Sequence, residues 1–155
     1  MKIWLDLRVI KNQDLYSDFI IELAMELIKN TPENNYILYT NGSTQIKASK
    51  NTKIHKVDIK NGSLSEQTRL FKILRKDKND LMIFFDIHMP ILYKKEYYIV
   101  TPSLNNIYYQ NFKSYPQKYK YLYLLNKSIK NASKVICFDA NTKDELLERL
   151  DVNEK

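Results

Sequence analysis

The chain has 155 residues, 44% hydrophobic and 28% charged, a composition that suits one globular domain with a core of its own. No run of eighteen apolar residues is present, which excludes a hydrophobic membrane-spanning helix. The formal charge of +7 would suit an anionic partner, but the lysines are spread along the whole chain and read first as solubility charge.

The apolar opening MKIWLDLRV is broken by Asp6 and Arg8 too early for a signal peptide. The single cysteine, Cys137, has no partner for an intrachain disulfide, so a cytoplasmic location is expected and the sequons at Asn41, Asn61 and Asn131 carry no meaning there. Glycine is scarce, with only Gly42 and Gly62, and phosphate-cradling loops need glycine.

The elements alternate. Lys2 to Leu7 reads as a strand. Leu15 to Lys29 carries a helical stripe of Phe19, Ile20, Leu23, Ala24, Leu27 and Ile28, with Asp14 placed to cap it. Thr31-Pro32-Glu33 stops that helix, and Tyr36 to Thr40 is a second strand closed by the turn signal Asn41-Gly42-Ser43. Lys53 to Ile59 is a third strand. Ser63 to Lys76 is a helix that opens on a capping-box pair, Ser63 and Glu66. The run from Asp80 to Phe85 contains LMIFF, which predicts a strand buried on both faces of a parallel sheet. Tyr97 to Thr101 is another strand, Gln117 to Asn131 a helix, Lys134 to Phe138 a strand, and Asn141 caps a last helix through Leu150. The expected fold class is α/β: a Rossmann-like, open, mostly parallel sheet with helices on both faces, spanning 1–155 as a single domain.

Three segments resemble the N-terminal half of GT-B glycosyltransferases of the family 4 type. The opening strand ends in Asp6-Leu7-Arg8, similar to that family's Asp-x-Arg. Pro32-Glu33-Asn34-Asn35-Tyr36-Ile37-Leu38-Tyr39 resembles its passage into the second strand. Asn131 to Cys137, then Asn141-Thr142-Lys143-Asp144-Glu145-Leu146, then Asp151 to Lys155, are similar to the strand, helix start and connector that lead to the family's second domain. The resemblance covers nearly the whole chain in order. It implies an acceptor-side domain, with the nucleotide-sugar donor held on a separate donor-binding domain or subunit and no cofactor of this domain's own. The activity implied is hexosyl transfer, with the isolated chain expected to be inactive.

Ligands in open α/β sheets bind beyond the carboxyl ends of the strands, which selects four loops. In the first, Arg8 to Tyr16, relatives carry glycines near the donor phosphates. Here Asn12, Gln13, Asp14, Leu15 and Tyr16 stand there, which argues against normal donor handling. The second follows the most apolar strand. Asp86 and His88 alternate onto one side and are the candidate catalytic pair, with His88 as proton acceptor. In the third, Thr101 to Asn106, Ser103 and Leu104 stand where relatives have a His-Asp pair, and a serine is no base without an activator. The fourth, Asp139 to Lys143, offers a helix N-terminus with Lys143 to an anion, against Asn141 as a plain cap. The resemblance therefore gives Arg8, Asn12, Tyr16, Ser103, Asn105, Thr142 and Lys143 as candidate substrate-binding residues. No metal-ligand spacing is present.

The segment from Tyr115 to Lys130 interleaves tyrosines with lysines. It fits a helix packed through Leu122, Leu125 and Ile129, and also a basic surface for an anionic membrane where lipid-linked acceptors reside; nucleic acid is the weaker partner. Two functions compete: a transferase acceptor domain for a glycan or lipid-linked acceptor, and a catalytically silent domain that binds a glycan or a protein.

Overall fold

A computed structural model describes residues 1–10, 15–42, 46, 49–101 and 115–150. Six short runs, five of them mainly apolar or aromatic, pair into one sheet. They are β1 (Lys2–Asp6), β2 (Asn35–Thr40), β3 (Thr52–Lys56), β4 (Leu81–Phe84), β5 (Tyr97–Thr101) and β6 (Lys134–Cys137). Their order across the sheet is β3-β2-β1-β4-β5-β6, and every ladder is parallel. This is the expected Rossmann-like architecture. Four helices are described: α1 (Leu15–Asn30), α2 (Phe71–Lys76), α3 (Tyr115–Asn131) and α4 (Ala140–Leu150).

Alternation along each strand divides the core into two layers. Ile3, Leu5, Leu38 and Ile83 point to the face covered by α1, where Ile20, Ala24 and Ile28 meet them. Trp4, Met82, Phe84 and Ile99 point to the other face, against Leu70 and Leu74 beside α2 and Leu125 and Ile129 of α3. The LMIF run of β4 is buried at every position, as its composition predicts. Phe19, placed on the α1 stripe by its spacing, lies at the margin instead and stacks on Phe138 at 4.3 Å.

The two edges are less covered. In β3 only Thr52 is buried, while Lys53, Ile54, His55 and Lys56 are exposed, because among the described residues no strand lies beyond it. The ladder ends at Lys56, three residues short of the predicted end, although Val57 and Ile59 are buried. β6 alternates exposed and half-buried residues.

Two helix starts differ from expectation. The amide of Glu66 donates to Ser63 Oγ at 3.2 Å, but the Glu66 carboxylate takes the Gly62 amide at 2.9 Å instead of closing the box on Ser63. A π-helical turn, Glu66–Leu70, follows and runs on into α2. At α4 the cap is Asp139, not Asn141: Asp139 Oδ1 accepts from the Thr142 amide at 2.7 Å and Oδ2 from the Thr142 hydroxyl at 3.0 Å. Asp14 lies outside the described residues.

Burial predicts the cost of truncation. Leu38→Ala, at a fully buried position of β2, is expected to cost about 2–5 kcal/mol in a denaturant-unfolding experiment. Ile54→Ala, on the outer face of edge strand β3, is expected to cost under about 1 kcal/mol.

Candidate functional site

Strand order reverses between β1 and β4. β2 lies on one side of β1 and β4 on the other, and the helices that lead to them cover opposite faces of the sheet. The carboxyl ends of such a pair open a crevice. Asp6 is level with Phe84 in the ladder, so the residues after each strand meet there.

The floor is an ionic network. The Arg8 side chain is 1% exposed and forks onto Asp6, Nε to Oδ1 at 2.8 Å and Nη2 to Oδ2 at 2.6 Å. Nη2 also reaches Glu66 Oε1 at 3.0 Å, and Nη1 donates to the Ile59 carbonyl at 3.1 Å. Burial works against the guanidinium charge, but Asp6 and then Glu66 outweigh it and raise the Arg8 pKa. Burial also pushes Glu66 up, more than Arg8 and the Gly62 amide pull it down.

The candidate pair stands above this floor. His88 Nδ1 lies 3.0 Å from Asp86 Oδ2, and both side chains are partly open to solvent. The Asn61 amide nitrogen touches Asp86 Oδ2 at 3.5 Å, and Asn61 Oδ1 is buried with no hydrogen-bond partner among the described residues. Gly62, with φ of +73°, backs the imidazole: a Cβ there would stand 3.3 Å from His88 Cδ2 and 3.4 Å from Nε2. The Tyr121 ring of α3 lies beside it, tilted by 60° and 5.7 Å between centroids.

Three contacts fix the loop that carries the pair. Tyr16 donates its hydroxyl to the Phe85 carbonyl at 2.5 Å. Gln67, in the π turn, donates to the Met89 carbonyl at 2.9 Å and accepts from the Ile91 amide at 3.0 Å. Consecutive residues of a helical turn point about 100° apart, which lets Glu66 and Gln67 serve two different loops.

Burial disfavours the imidazolium, but the hydrogen bond and charge of Asp86, with Glu66 behind them, outweigh it and raise the His88 pKa. Burial likewise opposes the Asp86 carboxylate, and the His88 hydrogen bond and charge outweigh that and hold its pKa low. With Nδ1 committed to Asp86, Nε2 has no hydrogen-bond partner among the described residues. In the neutral ring that leaves Nε2 as the acceptor, the arrangement a general base requires.

The other sequence candidates distribute differently. Arg8 lies in the floor, and its donors are taken up by protein groups. Tyr16 bonds the β4 exit. Thr142 is buried and held by Asp139, and Lys143 follows it at the end of β6, two strands or about 10 Å from β4. Asn12, Ser103 and Asn105 lie outside the described residues. Asn61, Gly62, Glu66, Gln67 and Tyr121 belong to the site without having been singled out for it. The one sequence signal for them is that half of the chain's glycine, Gly62, ends the third strand's loop. Comparison with protein-family models and with curated proteins gives no match.

The two shifts define a pH window. A raised His88 value gives stability that is complete below the unfolded imidazole's 6.5 and is lost as pH rises through the folded value. A lowered Asp86 value gives stability that is complete above the unfolded carboxylate's 3.8 and is lost as pH falls through the folded value. Asp86→Asn is therefore expected to destabilise by about 1 kcal/mol between these limits and by less at pH 9, measured by urea unfolding at each pH.

Proposed function

We propose that the chain is the acceptor-side domain of a GT-B-type glycosyltransferase and works with a donor-binding domain or subunit. The observation that carries the reading is the Asp86–His88 pair at the strand-order reversal, with Nε2 turned away from its carboxylate. In this reading an acceptor hydroxyl lies against Nε2. His88 takes its proton as the oxygen bonds to the sugar's anomeric carbon, and the bond from that carbon to the nucleotide diphosphate breaks. Asp86 holds the ring in the Nδ1–H tautomer and stabilises the imidazolium that forms. The resemblance of Asp6-Leu7-Arg8 and of the 131–146 segment to the family supplies the substrate class.

The test is to tag the chain in its own cells, identify what co-purifies, and assay the recovered pair with a panel of nucleotide sugars. A second Rossmann-like chain with paired glutamates is expected. His88→Ala is expected to lower transfer by about 10²–10⁴-fold without loss of fold by circular dichroism. No partner and no transfer would replace this reading with a silent glycan- or protein-binding domain, which the glycine-free 8–16 loop favours.

Peripheral attachment to an anionic membrane belongs to the same proposal. No helix among the described residues is long and apolar enough to cross a membrane. Tyr115, Tyr119 and Tyr123 are 80%, 69% and 56% exposed, at i, i+4 and i+8 of α3. Lys118, Lys120, Lys127 and Lys130 accompany them, and the chain has no carboxylate side chain between Glu96 and Asp139. Tyrosine suits the headgroup layer, and each lysine near an anionic surface contributes about 1 kcal/mol. Co-sedimentation with phosphatidylglycerol vesicles is expected at low salt, with none on phosphatidylcholine. Changing Lys118 and Lys120 together to Gln should weaken it by about tenfold or more. Binding that ignores salt and these changes would refute the attachment.

A further inference from the structure

The buried carboxylate of Glu66 lies outside the proton-transfer step, yet it is tied to the imidazole through Gly62. Its Oε1 is ion-paired to Arg8 at 3.0 Å and its Oε2 accepts the Gly62 amide at 2.9 Å. Arg8 meanwhile holds the Ile59 carbonyl at 3.1 Å. One carboxylate and one guanidinium thus tie both ends of the Ile59–Gly62 turn to the end of β1. That turn places a glycine α-carbon against the His88 ring, where any side chain would crowd Cδ2 at 3.3 Å.

Charge runs the same way. The charges acting on His88 are Asp86 from its own loop, Glu66 from the π turn and Arg8 from the β1 exit, with Asp6 paired to Arg8 and the Tyr121 ring of α3 5.7 Å away. Asp6, Arg8 and Glu66 together carry two carboxylates and one guanidinium, so with all three ionised the floor is net negative beneath the ring. Such a floor favours a proton on the imidazole.

We infer that Glu66 is a positioning residue for His88: it fixes the Gly62 backing of the ring and supplies the negative charge beneath it. The role assigned to His88 rests on the proposed transferase reading. The positioning itself is measured without donor or acceptor, so a domain that transfers nothing would still show it.

The test follows the imidazole Cε1–H resonances of the full chain by NMR against pH. His55 and His88 are the chain's two histidines, and His88→Gln assigns them. Glu66→Gln keeps the side-chain size, removes the charge and retains one of the two accepted hydrogen bonds. It is expected to lower the His88 titration midpoint by about one pH unit, and Glu66→Asp to restore part of that drop. In the unaltered protein the Glu66 side-chain carboxyl carbon should shift over the pH range in which His88 titrates, a readout that stands if Glu66→Gln fails to fold. A lowered melting temperature with the His88 midpoint unmoved, or no response of the Glu66 carboxyl carbon as His88 titrates, would overturn the inference and leave Glu66 a purely structural ion pair.

Discussion

A guanidinium sealed from water at the end of β1 must be neutralised where it lies, and the rest of the crevice is arranged around that requirement. Arg8 is met by a forked pairing to Asp6, two residues earlier at the end of β1, and by Glu66 from across the chain. Asp6 makes the pairing local and geometrically fixed. Glu66 makes it tertiary: the π turn can sit only where its carboxylate reaches both the guanidinium and the Gly62 amide. Breaking such a group by removing one partner leaves a buried charge without compensation, which is far costlier than the net contribution of the intact pair suggests.

The site inherits its rigidity from this floor. The loop after β4 is held at Phe85 by Tyr16, at Met89 and Ile91 by Gln67, and at the imidazole by Gly62 and Tyr121. These holds come from four separate segments: α1, the π turn, the loop after β3, and α3. A proton acceptor is efficient when its ring is already in place before the substrate arrives. Among the described residues, Asn61 Oδ1 is buried without a hydrogen-bond partner, on the side chain that touches the carboxylate orienting the ring.

The alternation of strand and helix was legible because it is a short-range signal. LMIF suits a doubly covered strand and is one, and the α1 and α3 stripes name most of the residues that pack. Asp86 and His88 were legible as a pair because their contact spans only two residues. Glu66 was readable only as a capping residue, since its true partners, Arg8 and the Gly62 amide, depend on how β3 and α2 return to the sheet. The cap of α4 was misread for a simpler reason: Asp139 and Asn141 are both good capping residues two positions apart, and the choice is made by where β6 releases the chain. The end of β3 was misread because Val57 and Ile59 are buried in the core with Leu70 and Leu74, although the last bond to β2 is that of the Val57 amide to the Thr40 carbonyl.

The open sheet has two margins, and they are unlike. Along β3 the outward side chains include Lys53, His55 and Lys56, so an added strand from another molecule would have to strip water from cations while gaining backbone hydrogen bonds. Along β6 the exposed set is Lys134 and Ile136, with Phe138 just past the strand end. Crowding at high concentration therefore meets a guarded border on one side and a weakly guarded one on the other. Judged by the described residues, self-association through strand pairing is expected at β6 before β3.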